Sequence, residues 1–320
     1  MGPFFVKYQR ENKLSKVDLS QEMGRLFLSA PFAIASGLVA NEHSVINTAL
    51  ENGVPALVTK SVFLSERVGY PPPVYYECEH YSINAVGLPS KGVSHFLSEI
   101  KKVKHVQRVV VSVGGFSVEE YEKVCSEIAQ NGVKALELNL SCPHVKGTGS
   151  EIASNPQLVE DVTRAVKNVA KHVTLFVKLP PDASSITEIA RAALKGGADG
   201  FTATNTLRGM VFDCELEAPV LSNMYGGVSG RALHPVSVYC VYELRKNFPE
   251  TPIFGVGGVY TLKDALDFFL AGANAVQVGT AFARSGYSLF HKLTLELHEY
   301  LESKGYSSFK EFTKKKRWWF

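Results

Sequence analysis

The chain has 320 residues, of which 45% are hydrophobic and 20% charged, and its formal net charge is +3. That composition supplies a large core, and charge of nearly balanced, interspersed sign excludes a broad basic field, so a small molecule is a better partner than nucleic acid. Five cysteines (Cys78, Cys125, Cys142, Cys214 and Cys240), scattered without CxxC pairs, fit neither a disulfide framework nor a zinc site and suit a reducing, cytoplasmic setting.

From the N-terminus onward, no stretch reads as a signal peptide and none reaches the ~18 apolar residues of a membrane span, so no membrane is expected as a partner. Short apolar, β-branched runs then recur: Phe32 to Ser36, Ala56 to Lys60, Arg108 to Val113, Ala135 to Leu140, Val173 to Leu179, Gly200 to Asn205, Pro252 to Gly257 and Ala275 to Thr280. Segments of helical period lie between them, plainest over Pro156 to Ala170 and Ser184 to Lys195. Eight alternating units imply parallel strands joined by crossovers and a (β/α)8 TIM barrel, with a doubly wound sheet as the alternative. The barrel is preferred because polar endings such as Thr59-Lys60-Ser61, Asn139, Lys178, Thr204-Asn205 and Gly279-Thr280 all fall at strand C-termini, which a barrel gathers on one face.

Two connections exceed what a barrel needs, at about residues 62–107 and 207–233, and long insertions on that face commonly cap a substrate. No linker or repeat divides the chain, so residues 1–320 read as a single domain. The terminal run Lys314-Lys315-Lys316-Arg317-Trp318-Trp319-Phe320 reads as a partly frayed tail rather than a docking element.

The stretch Glu137-Leu138-Asn139-Leu140-Ser141-Cys142-Pro143-His144 delivers an amide and a thiol to a strand tip, where proline stops the ladder. Cys142, followed by the Gly147-Thr148-Gly149 segment, suits a base on a loop able to close over substrate, whereas Cys125 and Cys240 sit in helical patterns as inert buried thiols. His144 and His234 are further candidates for proton transfer, though a lone loop histidine is more often solvated. Glycines at the ends of the seventh and eighth strands, Gly257-Gly258 and Gly279, with Gly230 before them, can cradle a phosphate on bare backbone N–H groups. Lys60 and Lys178 each end an apolar strand, where an ammonium needs an anion. That anion is either a cofactor or substrate, or a carboxylate such as Glu137. Asn84, Asn139, Asn205 and Thr206 supply the mixed donors and acceptors that read a planar ring of alternating N–H and C=O groups.

Asn139-Leu140-Ser141-Cys142-Pro143, Ser82-Ile83-Asn84-Ala85-Val86-Gly87-Leu88-Pro89, Asn205-Thr206-Leu207-Arg208-Gly209-Met210, Gly226-Gly227-Val228-Ser229-Gly230 and Gly255-Val256-Gly257-Gly258 together resemble the class 1 dihydroorotate dehydrogenases, from about Phe32 to Thr280. The resemblance implies an FMN-dependent barrel that oxidises dihydroorotate to orotate in de novo pyrimidine synthesis. By position, it implies Cys142 as the base, Asn84, Asn139, Asn205 and Thr206 around the pyrimidine ring, and Lys60 with the Gly87 and Leu88 backbone near its carboxylate. Lys178 falls at the flavin's pyrimidine edge. Ala35, Ser36, Lys60, Ser61, Asn139, Gly230, Gly257, Gly258, Gly279 and Thr280 fall among FMN contacts.

Cys-Pro-His stands where these enzymes commonly have Cys-Pro-Asn, a variant associated with the flavin domain of dihydropyrimidine dehydrogenases, so reduction of uracil or thymine is the alternative activity. A non-catalytic FMN-binding protein is the alternative outside enzymes. The resemblance also implies a homodimer. Family members pass electrons to fumarate, or to NAD through a partner subunit carrying FAD and an iron–sulfur cluster. Asn205 to Gly230 is closer to the NAD-linked group and Gly69 to Pro89 to the fumarate-using one.

Overall fold

The computed structural model describes residues 17–140, 155–181 and 185–315. Eight short strands close into a barrel in strict chain order: β1 (Phe32–Ile34), β2 (Ala56–Val58), β3 (Val109–Val113), β4 (Ala135–Asn139), β5 (Thr174–Leu179), β6 (Gly200–Ala203), β7 (Ile253–Val256) and β8 (Ala275–Val278). Every neighbouring pair is parallel, including β8 with β1, which closes the ring. The expected (β/α)8 barrel is therefore the observed fold, and each of the eight apolar runs supplies one strand.

Several strands are shorter than their runs. Ser36, Lys60, Asn205, Gly257 and Thr280 lie beyond the last ladder residue of their strands, because the polar tips leave the sheet and turn over the C-terminal mouth. The helices follow their expected patterns. Pro156–Val169 starts at Asn155, whose side chain accepts from the N–H groups of Gln157 and Leu158, and it buries Val159, Val162, Thr163 and Val166. Ile186–Lys195 is capped by Ser185 and buries Ile189, Ala190, Ala192 and Ala193.

The bore is layered. At its N-terminal end Ala33, Ala56, Val58, Val110, Ala135, Phe176, Phe254 and Ala275 form a wholly buried apolar layer with Met23, Leu26 and Leu28. Those last three belong to a hairpin, Gln21–Met23 with Leu26–Leu28, that plugs this end. Its turn needs Gly24, at φ +64°, since a Cβ there would fall 2.5 Å from Thr174 Oγ1. Above the apolar layer the bore becomes polar, with Ser112, Glu137, Thr202 and Gln277 buried.

The two insertions form one structure. Leu207–Met210, Tyr225–Ser229, Ser82–Asn84 and Tyr75–Glu77 make a four-stranded antiparallel sheet that draws two strands from each connection. Gly226 allows the central pairing, because a Cβ there would lie 2.5 Å from the Asn84 carbonyl oxygen. The first connection also contains Gly92–Ile100, the ordinary crossover helix between β2 and β3, so its capping part ends near residue 91. Among the described residues no helix is long and apolar enough to cross a membrane. The tail from residue 316 onward lies outside the described residues.

Candidate active site

A cavity of about 320 Å³ opens at the C-terminal mouth, between the strand tips and the insertion sheet. Strand direction explains its polarity: parallel strands point all their C-terminal ends to one face, where their last side chains converge. Ala35 and Ser36 reach it from β1, Lys60 and Ser61 from β2, Asn139 from β4, Lys178 from β5, and Asn205 and Thr206 from β6. Gly257 and Gly258 follow β7, Gly279 and Thr280 follow β8, and the insertions add Asn84, Gly87, Leu88 and Gly230. Every described residue expected to hold substrate or flavin therefore lines one cavity. Cys142 and His144, three and five positions past Asn139, lie outside the described residues.

The amides are held in a chain of hydrogen bonds. Thr206 N donates to Asn205 Oδ1 at 2.9 Å, Asn205 Nδ2 to Asn139 Oδ1 at 3.1 Å, and Asn139 Nδ2 to Ser61 Oγ at 3.0 Å. Ser61 Oγ meets Ser112 Oγ at 2.9 Å. Each carboxamide is thereby oriented by a neighbour, with both a donor and an acceptor at the cavity wall. Asn84 stands across the cavity on the insertion sheet, where its Nδ2 donates to the Gly227 carbonyl at 3.4 Å.

The two lysines differ. Lys178 is buried, and its Nζ lies 3.7 Å from Glu137 Oε1, so the carboxylate partner weighed in the sequence is present for this residue. Lys60 has no carboxylate within 4.0 Å among the described residues, although its side chain lines the cavity. A half-buried ammonium so placed is disposed to take an anion from solution.

The loop at Gly87 and Leu88 is clamped from behind by Arg67. Its Nε donates to the Leu88 carbonyl at 3.2 Å and its Nη2 to the Gly87 carbonyl at 3.4 Å. The guanidinium lies 4.9 Å from the Phe63 ring centre and 4.7 Å from that of Phe116. Leu88 is held at φ +56°, a conformation that non-glycine residues seldom adopt. Arg67 was not among the residues singled out in the sequence, since an arginine in a polar insertion carries no signal of its target.

At the tips of β7 and β8, with Gly230 beside them, the glycines form a cradle of bare backbone. Gly230 and Gly258 have φ of +87° and +66°, and a Cβ on Gly258 would sit 2.7 Å from the Gly230 carbonyl oxygen. At Gly279 a Cβ would meet nothing nearer than Ala35 Cβ at 3.8 Å, so this backbone faces open cavity. His234 braces the cradle: its Nδ1 donates to the Gly257 carbonyl at 3.0 Å, and its Nε2 lies 3.3 Å from Asp267 Oδ2. It does not line the cavity, so His234 is neither a solvated loop histidine nor placed for proton transfer to a ligand there.

Sequence reasoning missed Tyr75, Ser82 and Ser229, which also line the cavity. Ser82 Oγ and Ser229 Oγ are 2.9 Å apart, and Thr280 Oγ1 donates to Ser229 Oγ at 3.1 Å, which ties both insertions to the tip of β8. Alternation could have found Ser82, two residues before Asn84 on the same strand face. Burial pushes the Tyr75 phenol up from its ordinary value. Burial does the same to Cys125, and pushes Cys240 up to about 11, as suits inert thiols.

The chain matches the family profile described as dihydroorotate dehydrogenase over residues 18–301. A Thermoplasma volcanium protein named dihydroorotate dehydrogenase B (NAD(+)), catalytic subunit, is 42% identical over 295 residues, covering 92% of this chain and 97% of that protein. Proteins of the same name from Pyrococcus abyssi and Methanosarcina mazei are 40% and 41% identical over 281 and 292 residues, covering 88% and 90% of this chain and 93% and 92% of theirs. With a polar cavity at the mouth of a closed barrel and identity extending over nearly its whole length, the chain belongs to the class 1 dihydroorotate dehydrogenases, a family of flavin enzymes.

Proposed function

We propose that this chain oxidises (S)-dihydroorotate to orotate in pyrimidine biosynthesis, with FMN as its flavin. The observation that carries the reading is the cavity itself, where Lys60, without a carboxylate partner among the described residues, shares one wall with oriented carboxamides. The donor set fits the cofactor: a glycine cradle at the ends of β7 and β8 suits the phosphate of a mononucleotide, and the buried Lys178 suits an electron-rich ring edge. When bound, FMN supplies the acceptor for the hydride that leaves C6 of the substrate.

The chain's own residues do the rest. Asn84, Asn139, Asn205 and Thr206 hold the pyrimidine ring through its alternating N–H and C=O groups, while Lys60 and the clamped Gly87 and Leu88 backbone take the carboxylate. Lys178 places a positive charge where negative charge gathers during the reaction, and field stabilisation of this kind is often the largest catalytic contribution. Cys142 removes the C5 proton; without local help only a few per cent of a thiol is ionised at neutral pH. Ala35, Ser36, Ser61, Gly230, Gly257, Gly258, Gly279 and Thr280 contact the FMN.

We further propose that residues 1–320 act as a single cytoplasmic barrel domain, paired in a homodimer. The NAD-linked names of the relatives, and their designation as catalytic subunits, favour an FAD and iron–sulfur partner subunit over fumarate as the route for electrons. The test is optical. Purified protein should be yellow and should bleach under anaerobic conditions on addition of dihydroorotate but not of dihydrouracil or dihydrothymine. Bleaching by dihydrouracil alone would assign the protein to the dihydropyrimidine dehydrogenases, and a yellow protein inert to all three would be a flavin carrier.

A further inference from the structure

One buried ionisable group has no part in the reaction as just described. Glu137 points into the bore from the middle of β4 and is fully buried. Its Oε2 accepts from Thr202 Oγ1 and from Gln277 Nε2, both at 2.8 Å. Its Oε1 makes no hydrogen bond and lies 3.7 Å from Lys178 Nζ. Lys178 lines the cavity, whereas Glu137 does not, so the carboxylate lies behind the ammonium as seen from the ligand. The layer beneath is built of Ala, Val and Phe side chains, and packing gives no reason for a carboxylate at the next level. Well-packed apolar side chains in place of a buried ion pair are commonly as stable or more so.

We infer that Glu137 is a positioning residue that lowers the electron affinity of the bound flavin by opposing the charge of Lys178. The inference rests on the FMN reading of the cavity. Lys60 and Lys178 put two positive charges on the walls, and an unopposed field of that sign would stabilise the reduced flavin and retain its electrons. A carboxylate behind Lys178 turns a lone charge into a dipole, which keeps the ammonium fixed beside the ring while weakening its field at a distance. In this buried place the opposition is little screened by water or salt. Thr202 and Gln277 fill the lone pairs of the other oxygen, so the anion is held without a second cation.

The test measures the flavin midpoint potential of the purified holoenzyme by equilibration with a reference dye, comparing wild type with Glu137→Gln. The substitution removes the negative charge and keeps the side chain's shape, so the ratio of reduced to oxidised flavin at a fixed potential should rise at least tenfold, about 30 mV for a two-electron couple. An unchanged or lowered potential in a yellow E137Q protein overturns the inference and leaves the assignment of FMN standing. A wild-type protein that neither carries nor takes up FMN overturns both. Should E137Q fail to fold, Glu137→Asp carries the comparison: it keeps the charge but draws the carboxylate back from Lys178 Nζ, so its potential should rise by less than the tenfold ratio expected of E137Q, and an unchanged potential in a folded, yellow E137D protein refutes the role.

Discussion

Replacing Arg67 with alanine should weaken substrate binding while leaving the flavin in place. The two guanidinium hydrogen bonds are long, so each is worth about 1 kcal/mol net, and the two ring contacts add about 0.5–1 kcal/mol each at a half-exposed site. The clamp thus holds the Gly87–Leu88 backbone with about 3–4 kcal/mol, against about 1 kcal/mol for keeping Leu88 in the left-handed region. If the freed loop recovers half of this through other contacts, the KM for dihydroorotate rises roughly ten- to thirtyfold, at about 1.4 kcal/mol per factor of ten. The assay is anaerobic flavin bleaching at varied dihydroorotate, with FMN content read from the visible spectrum of the same sample. Arg67→Lys keeps the charge but loses the fork that spans two carbonyls, so its KM should fall between the two. A KM within twofold of wild type in R67A, with the protein folded and yellow, would refute the clamp.

Four further outcomes are expected. Cys142→Ala should lower turnover by about a hundredfold or more with FMN retained, the loss expected for a general base; an unchanged rate removes Cys142 from the reaction. In the wild type the rate should climb with pH through about 8.5, the ordinary thiol value, and this limb should vanish in C142A, as rate–pH profiles of the two proteins would show. Gly258→Ala should release FMN during gel filtration, because its Cβ meets the Gly230 carbonyl at 2.7 Å in a backbone held at φ +66°; full retention of colour would place the phosphate elsewhere. Glu99 is held down at about 2 by Lys102, and then by His43. Its folded value lies below the unfolded one, so its contribution is present above the ordinary carboxylate range near ~4.3 and is lost as pH falls toward about 2. Urea unfolding between pH 5 and pH 2 should therefore show a shallower acid loss for Glu99→Gln than for wild type.

The barrel was legible because its signal is local. Runs such as Val109–Val113 and Thr174–Leu179 are mostly apolar, as strands covered on both faces must be, and the helical segments between them leave parallel crossover as the economical connection. The site was legible for a related reason: once strand C-termini share a face, residues as distant as Lys60 and Thr280 become neighbours without any further knowledge of the structure. What the sequence hid is non-local. Tyr225–Ser229 pairs with Ser82–Asn84 across more than 140 positions, and a short strand in an insertion does not disclose its partner. Glu137 was named only as a possible partner for a lysine; its contacts with Thr202 and Gln277 depend on the stagger of β6 and β8 around the bore. Arg67 likewise acts through backbone carbonyls, which carry no residue code.

The shared sheet over the cavity has an evolutionary consequence. Since Gly226 must admit Asn84, and Ser229 meets both Ser82 and Thr280, neither connection can be exchanged between relatives by itself without stripping the other of its edge and its hydroxyl contacts. The roof should therefore be inherited as a pair of coupled segments, and a chimera that transplants both at once keeps a specificity module that a single-loop graft destroys.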